Sequence, residues 1–247
     1  MRRKIAVCNV PVYAEHSVAE HTFALMLAIS RNITKAYVRI HKDNFSTEGL
    51  EGADLSGKTI GVIGTGHIGM HVIRMARGFE MNVVAFSRSK NMEMARRLGF
   101  KYASLNELLK NSDIITLHVP LTDETKHMIN KKAIRKMKKG AIIINTSRGE
   151  VIDTKALLDG INNGKISAVG LDVLEGEELI KKGNHQRLDP KAFKLLAENH
   201  KLLDNERVIF TPHIAFYSKE SSRNLIMATI DNIRSFIKGR AKNAVSK

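Results

Sequence analysis

A single cysteine, Cys8, stands in the whole chain, so no internal disulfide can form and a reducing, cytoplasmic setting is expected. Long apolar runs are missing as well. The longest spans the seven residues Phe23 to Ile29, far short of a membrane span. The basic start Met1 to Lys4 has the outline of a leader, but Asn9 and Pro11 interrupt the apolar stretch behind it. Repeats and low-complexity tracts are absent. Carboxylates are in deficit, with 25 Asp+Glu against 40 Lys+Arg and a formal charge of +15. That excess admits nucleic acid, anionic membranes and phosphorylated ligands as partners without choosing among them. What is present is a 43% hydrophobic composition over 247 residues, enough for one large α/β domain or two modest ones. A disordered scaffold is excluded.

From about residue 58 the chain alternates short β-branched runs with helical patterns, as a parallel sheet with crossover helices requires. Six strands are expected at 59–63, 82–86, 114–117, 141–145, 168–171 and 208–210. Each is apolar through successive residues and bounded by Gly, Asn, Asp or Pro, the pattern of strands covered on both faces. Helices are expected near 67–78, 91–98, 105–111, 130–138 and 153–162. At the ends, 5–10 reads as a strand stopped by Pro11. Residues 17–31 read as a helix apolar nearly all round and therefore buried on more than one side. Residues 32–57 read as a polar connector. A final helix at about 218–238 carries Leu225, Ile226, Ile230, Ile233 and Ile237 and ends at Gly239.

The first of these strands runs into Gly64-Thr65-Gly66-His67-Ile68-Gly69, a G-x-G-x-x-G with a strand before it and a helix after it. Gly64 permits the tight turn, Gly66 lets backbone approach a pyrophosphate, and Gly69 lets the helix pack on the strand. The helix's free N–H groups then face the anion. The next strand ends in Phe86-Ser87-Arg88-Ser89-Lys90. An acid is usual at the position of Ser87, where it binds the ribose hydroxyls. Its absence removes repulsion toward a 2′-phosphate, and Arg88 can pair with that group, so NADP(H) is expected over NAD(H).

Three ionisable residues fall just past strand ends: Arg148, Glu177 and His213. Reduction of a 2-oxo acid needs a proton donor, a cation for the carboxylate and a hydride source. His213 suits the first task and Arg148 the second, with Glu177 orienting the histidine ring.

These residues sit in stretches that resemble the D-isomer-specific 2-hydroxyacid dehydrogenases, most of all the lactate-acting members. The matching runs include 9–13, 17–21, 61–69, 118–122, 145–149, 170–177 and 211–217, in the family's order along nearly the whole chain. The resemblance implies an α/β, Rossmann-type doubly wound sheet with remnants of a second, substrate-binding domain. It implies hydride transfer between a nicotinamide and a small 2-oxo or 2-hydroxy acid, with Arg148, Glu177 and His213 in the roles above. Tyr13 would approach the substrate. Val119, Pro120, Thr146 and Asp172 would line the nicotinamide end, Asp172 by accepting from the carboxamide. It also implies a homodimer through helix 17–31. On this reading 1–16 and 215–247 belong to the substrate domain, 17–214 to the cofactor domain, and most of the family's N-terminal lobe is absent. A non-catalytic nucleotide-sensing module of the same fold is the alternative. Nucleic-acid binding by Lys131 to Lys139 or by the tail Lys238 to Lys247 is disfavoured. No aromatics interleave with those runs, and 131–139 fits a helix with Ala133, Ile134 and Met137 inward and its lysines solvated.

Overall fold

The computed structural model describes residues 5–181 and 189–245, so Met1 to Lys4 and the last two residues of the basic tail lie outside the described residues. Seven strands form one parallel sheet: β1 (Thr59–Ile63), β2 (Asn82–Phe86), β3 (Lys101–Tyr102), β4 (Ile114–Leu117), β5 (Ala141–Asn145), β6 (Ile166–Leu171) and β7 (Val208–Phe210). Their order is β3-β2-β1-β4-β5-β6-β7. The chain therefore winds outward in one direction from β1 and returns to wind in the other from β4, the doubly wound arrangement expected. All six expected strands are present. The two-residue β3 is too short to leave a pattern. β6 opens two residues earlier than expected because exposed Ser167 gives its start a polar side, donating to the Gly140 carbonyl at 2.7 Å.

Two cores sandwich the sheet, as all-parallel strands require. One holds Ile60, Val62 and Val83 under α1 (Glu15–Ser30), α3 (His67–Gly78) and α4 (Met92–Leu98). The other holds Ile115, Ile143 and Val169 under α5 (Leu105–Asn111), α6 (Lys131–Lys136) and α7 (Thr154–Asn162). Helix α1 is buried on more than one side, because it packs on α3, β5 and β6 together. Ala133, Ile134 and Met137 face inward as the helical pattern demands.

Three expectations are corrected. Residues 5–10 are not a strand. The segment makes one isolated antiparallel bridge, Cys8 to Ala244, closed by Asn9 N donating to the Asn243 carbonyl at 3.1 Å and Val245 N donating to the Val7 carbonyl at 2.8 Å; it joins no strand of the sheet, and Ile5 and Val7 stay exposed. The connector 32–57 contains α2 (Ile33–Ile40), started by Asn32 in the left-handed region at φ 51°. Between 178 and 207, where no element was read, α9 (Pro190–Leu203) forms. Its Asp189 cap accepts from Ala192 N, Pro190 sits in the first turn, and α8 (Glu177–Lys181) precedes it. The last helix, α10 (Lys219–Ile237), is as expected, yet Ile226, Ile233 and Ile237 on its stripe stay exposed.

Candidate active site

The sheet reverses direction between β1 and β4, and the crevice outside the C-terminal ends of those strands is where such folds hold ligands. A cleft of about 630 Å³ opens there. Gly66, His67 and Ile68 of the turn after β1 line it, with His118, Val119 and Pro120 after β4, Thr146 and Arg148 after β5, Asp172 after β6, and His213 after β7. Tyr13 joins them from the N-terminal segment.

The glycine-rich turn has the shape a pyrophosphate needs. Gly64 holds φ 96°, and a Cβ there would lie 2.3 Å from the His118 carbonyl oxygen. A Cβ on Gly69 would lie 2.0 Å from the Gly64 carbonyl oxygen, so α3 closes on the turn after β1 only because residue 69 is a glycine. A Cβ on Gly66 would meet nothing within 4 Å, which leaves open space over the N-terminus of α3. Beside it, His118 Nδ1 is cut off from solvent without a partner, while Nε2 shares a 2.9 Å hydrogen bond with Thr116 Oγ1. Burial of this ring pushes its pKa down to about 3, so it is neutral. An anion cradle beside an orphaned polar atom fits a dinucleotide.

Arg148 is presented by a folded turn. Asn145, buried at the end of β5, accepts from Ser147 N and Ser147 Oγ through Oδ1 and donates through Nδ2 to the Arg148 carbonyl at 2.9 Å. Gly149 is required next, since a Cβ there would lie 1.9 Å from the Leu174 carbonyl carbon. The guanidinium is exposed and donates through Nη1 to the Ser147 carbonyl at 2.7 Å.

His213 sits in the left-handed region at φ 58°, a strained conformation for a non-glycine residue. Asp172 holds it there. The Asp172 carbonyl accepts from His213 N, and its buried carboxylate accepts from Thr211 Oγ1, Ile214 N and Ala215 N. Glu177 Oε1 lies 2.7 Å from His213 Nδ1. A carboxylate at Nδ1 fixes that proton, and Nε2 is then the ring nitrogen left for a ligand in the cleft.

Some expected residues lie elsewhere. Ser87 and Arg88 follow the end of β2 and lie outside the cleft, without side-chain partners among the described residues. Glu177 stands behind His213 rather than in the wall. Two residues of α1 that support the site carried no signal in the local pattern. His21 Nε2 lies 2.8 Å from Thr211 Oγ1. Thr22 Oγ1 donates to the Val18 carbonyl and therefore accepts from Thr146 Oγ1 at 2.9 Å. His118 was likewise missed as a wall residue.

Residues 23–215 match the family model described as "D-isomer specific 2-hydroxyacid dehydrogenase, NAD binding domain". A 2-hydroxyacid dehydrogenase homolog of Haemophilus influenzae is 41% identical over 238 residues, 96% of this chain and 70% of that protein. An aromatic 2-oxoacid reductase of Clostridium sporogenes is 41% identical over 241 residues, 97% of this chain and 71% of that protein. Among solved structures, D-lactate dehydrogenase from Aquifex aeolicus complexed with NAD and lactic acid superposes with a TM-score of 0.90 at 39% identity. That match covers 99% of this chain and 74% of the other. With a cofactor turn, a His–carboxylate couple and an arginine converging at the switch point of a doubly wound sheet, and with that family model matching through the same strands, the chain belongs to the D-isomer specific 2-hydroxyacid dehydrogenases, NAD-dependent oxidoreductases of 2-hydroxy and 2-oxo acids.

Proposed function

We propose that this chain reduces a small 2-oxo acid, pyruvate first among them, at the 630 Å³ cleft, with Arg148, Glu177 and His213 carrying the chemistry. The observation that carries the reading is the 2.7 Å contact from Glu177 to the His213 ring, whose other edge shares the cleft with Arg148. Arg148 offers a planar fork of donors for the substrate carboxylate and carbonyl. His213 Nε2 delivers the proton to the carbonyl oxygen as charge develops there, and Glu177 keeps the ring oriented and offsets its charge. Val119, Pro120, Thr146 and Asp172 would hold a nicotinamide, which when bound would supply the hydride. Gly64, Gly66, His67, Ile68 and Gly69 form the pyrophosphate cradle.

Substrate size is set by Tyr13 and Phe216, whose rings meet edge to face at 6.3 Å beside His213. Tyr217 does not share that wall, being 74% exposed. A crowded aromatic wall supports a small acid, such as the lactic acid bound by the Aquifex enzyme, over the aromatic acids named for the Clostridium relative. NAD(H) is the cofactor of the family, and we extend this to NADP(H) because Ser87 brings no carboxylate and Arg88 has no side-chain partner among the described residues. Residues 17–214 form the cofactor domain in this reading, with 1–16 and 215–247 in the substrate domain. The pairing of Val7 and Asn9 with Val245 and Asn243 supports that division. Among the described residues no helix is long and apolar enough to cross a membrane, consistent with a cytoplasmic setting.

The test is a fluorescence titration with NADH and NADPH, followed by turnover with pyruvate and phenylpyruvate, on the wild type and His213→Ala. Cofactor affinity should be unchanged in the variant while turnover is abolished. Loss of cofactor binding would make His213 structural. NADH binding by the wild type without turnover on either acid would leave a non-catalytic nucleotide-binding module.

A further inference from the structure

The basic run Lys131 to Lys139 has no part in the reaction above, yet it builds one wall of a second cleft of about 420 Å³ between α6 and α7. Lys131 and Arg135, one turn apart on α6, line it with Lys139 beyond the helix end and Lys165 ahead of β6. Gly140 N donates to the Lys165 carbonyl at 3.0 Å, so the backbones carrying Lys139 and Lys165 are tied side by side. The floor is rigid. A Cβ on Gly160 would already lie 3.0 Å from Ile134 Cγ2, so α6 and α7 are at closest approach.

Two neighbouring lysines are satisfied. Lys136 donates to Asn106 and Lys138 to Asp113, both at 2.7 Å. The four cations that line the cleft, Lys131, Arg135, Lys139 and Lys165, have no side-chain hydrogen bond or ion pair among the described residues. The one carboxylate in the wall, Asp159, is engaged by Lys155 at 3.1 Å. Asn163 spends its Oδ1 on Lys165 N and keeps its NH2 as a further donor. Four cations thus line a concavity whose one carboxylate, Asp159, is shared with Lys155, so positive charge is in excess among the described residues there, and its mutual repulsion falls when an anion enters.

We propose that this cleft binds a small oligophosphate, either inorganic or the phosphate chain of a nucleotide. Several phosphoryl groups are needed to match four cations spread over two walls, and a single carboxylate would reach one or two. No aromatic side chain lines the cleft for bases to stack on, which argues against a nucleic-acid strand. Lys139 and Lys165 lie at the N-terminal ends of β5 and β6, opposite the edge that holds the active cleft. The proposal is independent of the reaction above, and an occupant would not displace the cofactor.

The test uses the 247-residue chain with NADH in excess, so that the glycine-rich turn is filled before any phosphate is added. NADH fluorescence reports that step by itself, which keeps a failure of the cofactor reading separate. Tripolyphosphate and then ATP are titrated calorimetrically at about 0.1 M salt, where long-range attraction is largely screened. One saturable site is expected. Affinity should fall at least about tenfold in the double variant R135A/K139A. It should change less than about twofold in K132A/K136A, which removes the same charge from the same stretch but outside the cleft. Equal affinity for both ligands would assign the bare phosphate chain, and tighter ATP binding the nucleotide. Equal weakening in the two double variants, or no saturable binding, would overturn the proposal.

Discussion

At the scale of single residues, the site depends on a few groups held in arrangements costly to maintain alone. The left-handed backbone of His213 costs about 1–2 kcal/mol for a residue with a Cβ. It persists because the Asp172 carboxylate takes three donors from residues 211–215. Glu177 then fixes the ring. Glu177→Gln keeps an acceptor for Nδ1 but loses the charge that offsets a protonated imidazole. Turnover should fall by roughly 10²-fold or more with cofactor affinity unchanged. Steady-state kinetics beside an NADH titration would show it; equal loss in both would mean the pair is only structural.

His118 makes a pH prediction of definite sign. Half-buried as a residue but with Nδ1 cut off from solvent, its ring stays neutral in the fold down to pH about 3, whereas it protonates near 6.5 when unfolded. Between those values the unfolded state holds the extra proton, so stability falls as pH falls, by up to ~1.4 kcal/mol per pH unit from this group. Urea midpoints from pH 7 to pH 4 should drop less steeply in His118→Gln than in the wild type. Parallel curves would mean that the ring is solvated in the fold.

At the scale of elements, short pieces gain their positions from cross-links rather than from their own propensity. β3 is two residues long, yet its Tyr102 hydroxyl accepts from Asn91 N at 3.1 Å and lies 3.0 Å from Thr65 Oγ1 in the glycine-rich turn. The hydroxyl therefore ties the pyrophosphate turn to the N-cap of α4, just beyond Ser87 and Arg88. Tyr102→Phe should weaken NADH binding by a few-fold, on the order of one lost hydrogen bond, while kcat holds. A fall in kcat at unchanged cofactor affinity would count against this positioning role.

At the scale of the molecule, two facts stand out: the active cleft sits at the switch point, and apolar surface remains exposed. α2 buries none of its side chains and exposes Ile33 (55%), Tyr37 (66%) and Val38 (52%) beside α1. A homodimer through helix 17–31 would have to include this face, because α1 is already covered by α3 and the sheet. Tyr37→Asp should then shift the chain from dimer to monomer in sedimentation equilibrium, since a charge placed in an apolar interface has no partner. An unchanged mass would place the interface elsewhere.

The sequence by itself determined six of the seven strands, the glycine-rich turn and the chemical residue types. Covered parallel strands must be apolar throughout, and a turn that cradles phosphate must be glycine where a Cβ would collide. These are local demands that local residues display. Gly64 and Gly69 were legible in that way, as were the places of Arg148, Glu177 and His213 after β5, β6 and β7. Only the tertiary structure decided the contacts between residues far apart in the chain. Thr22 meets Thr146, His21 meets Thr211, and Gly140 meets Lys165 because winding the sheet in both directions brings their elements together. The same holds where a pattern misled. Residues 5–10 have the composition of a strand, but their backbone meets the 243–245 segment in a single bridge rather than an edge of the sheet, so no ladder extends from them.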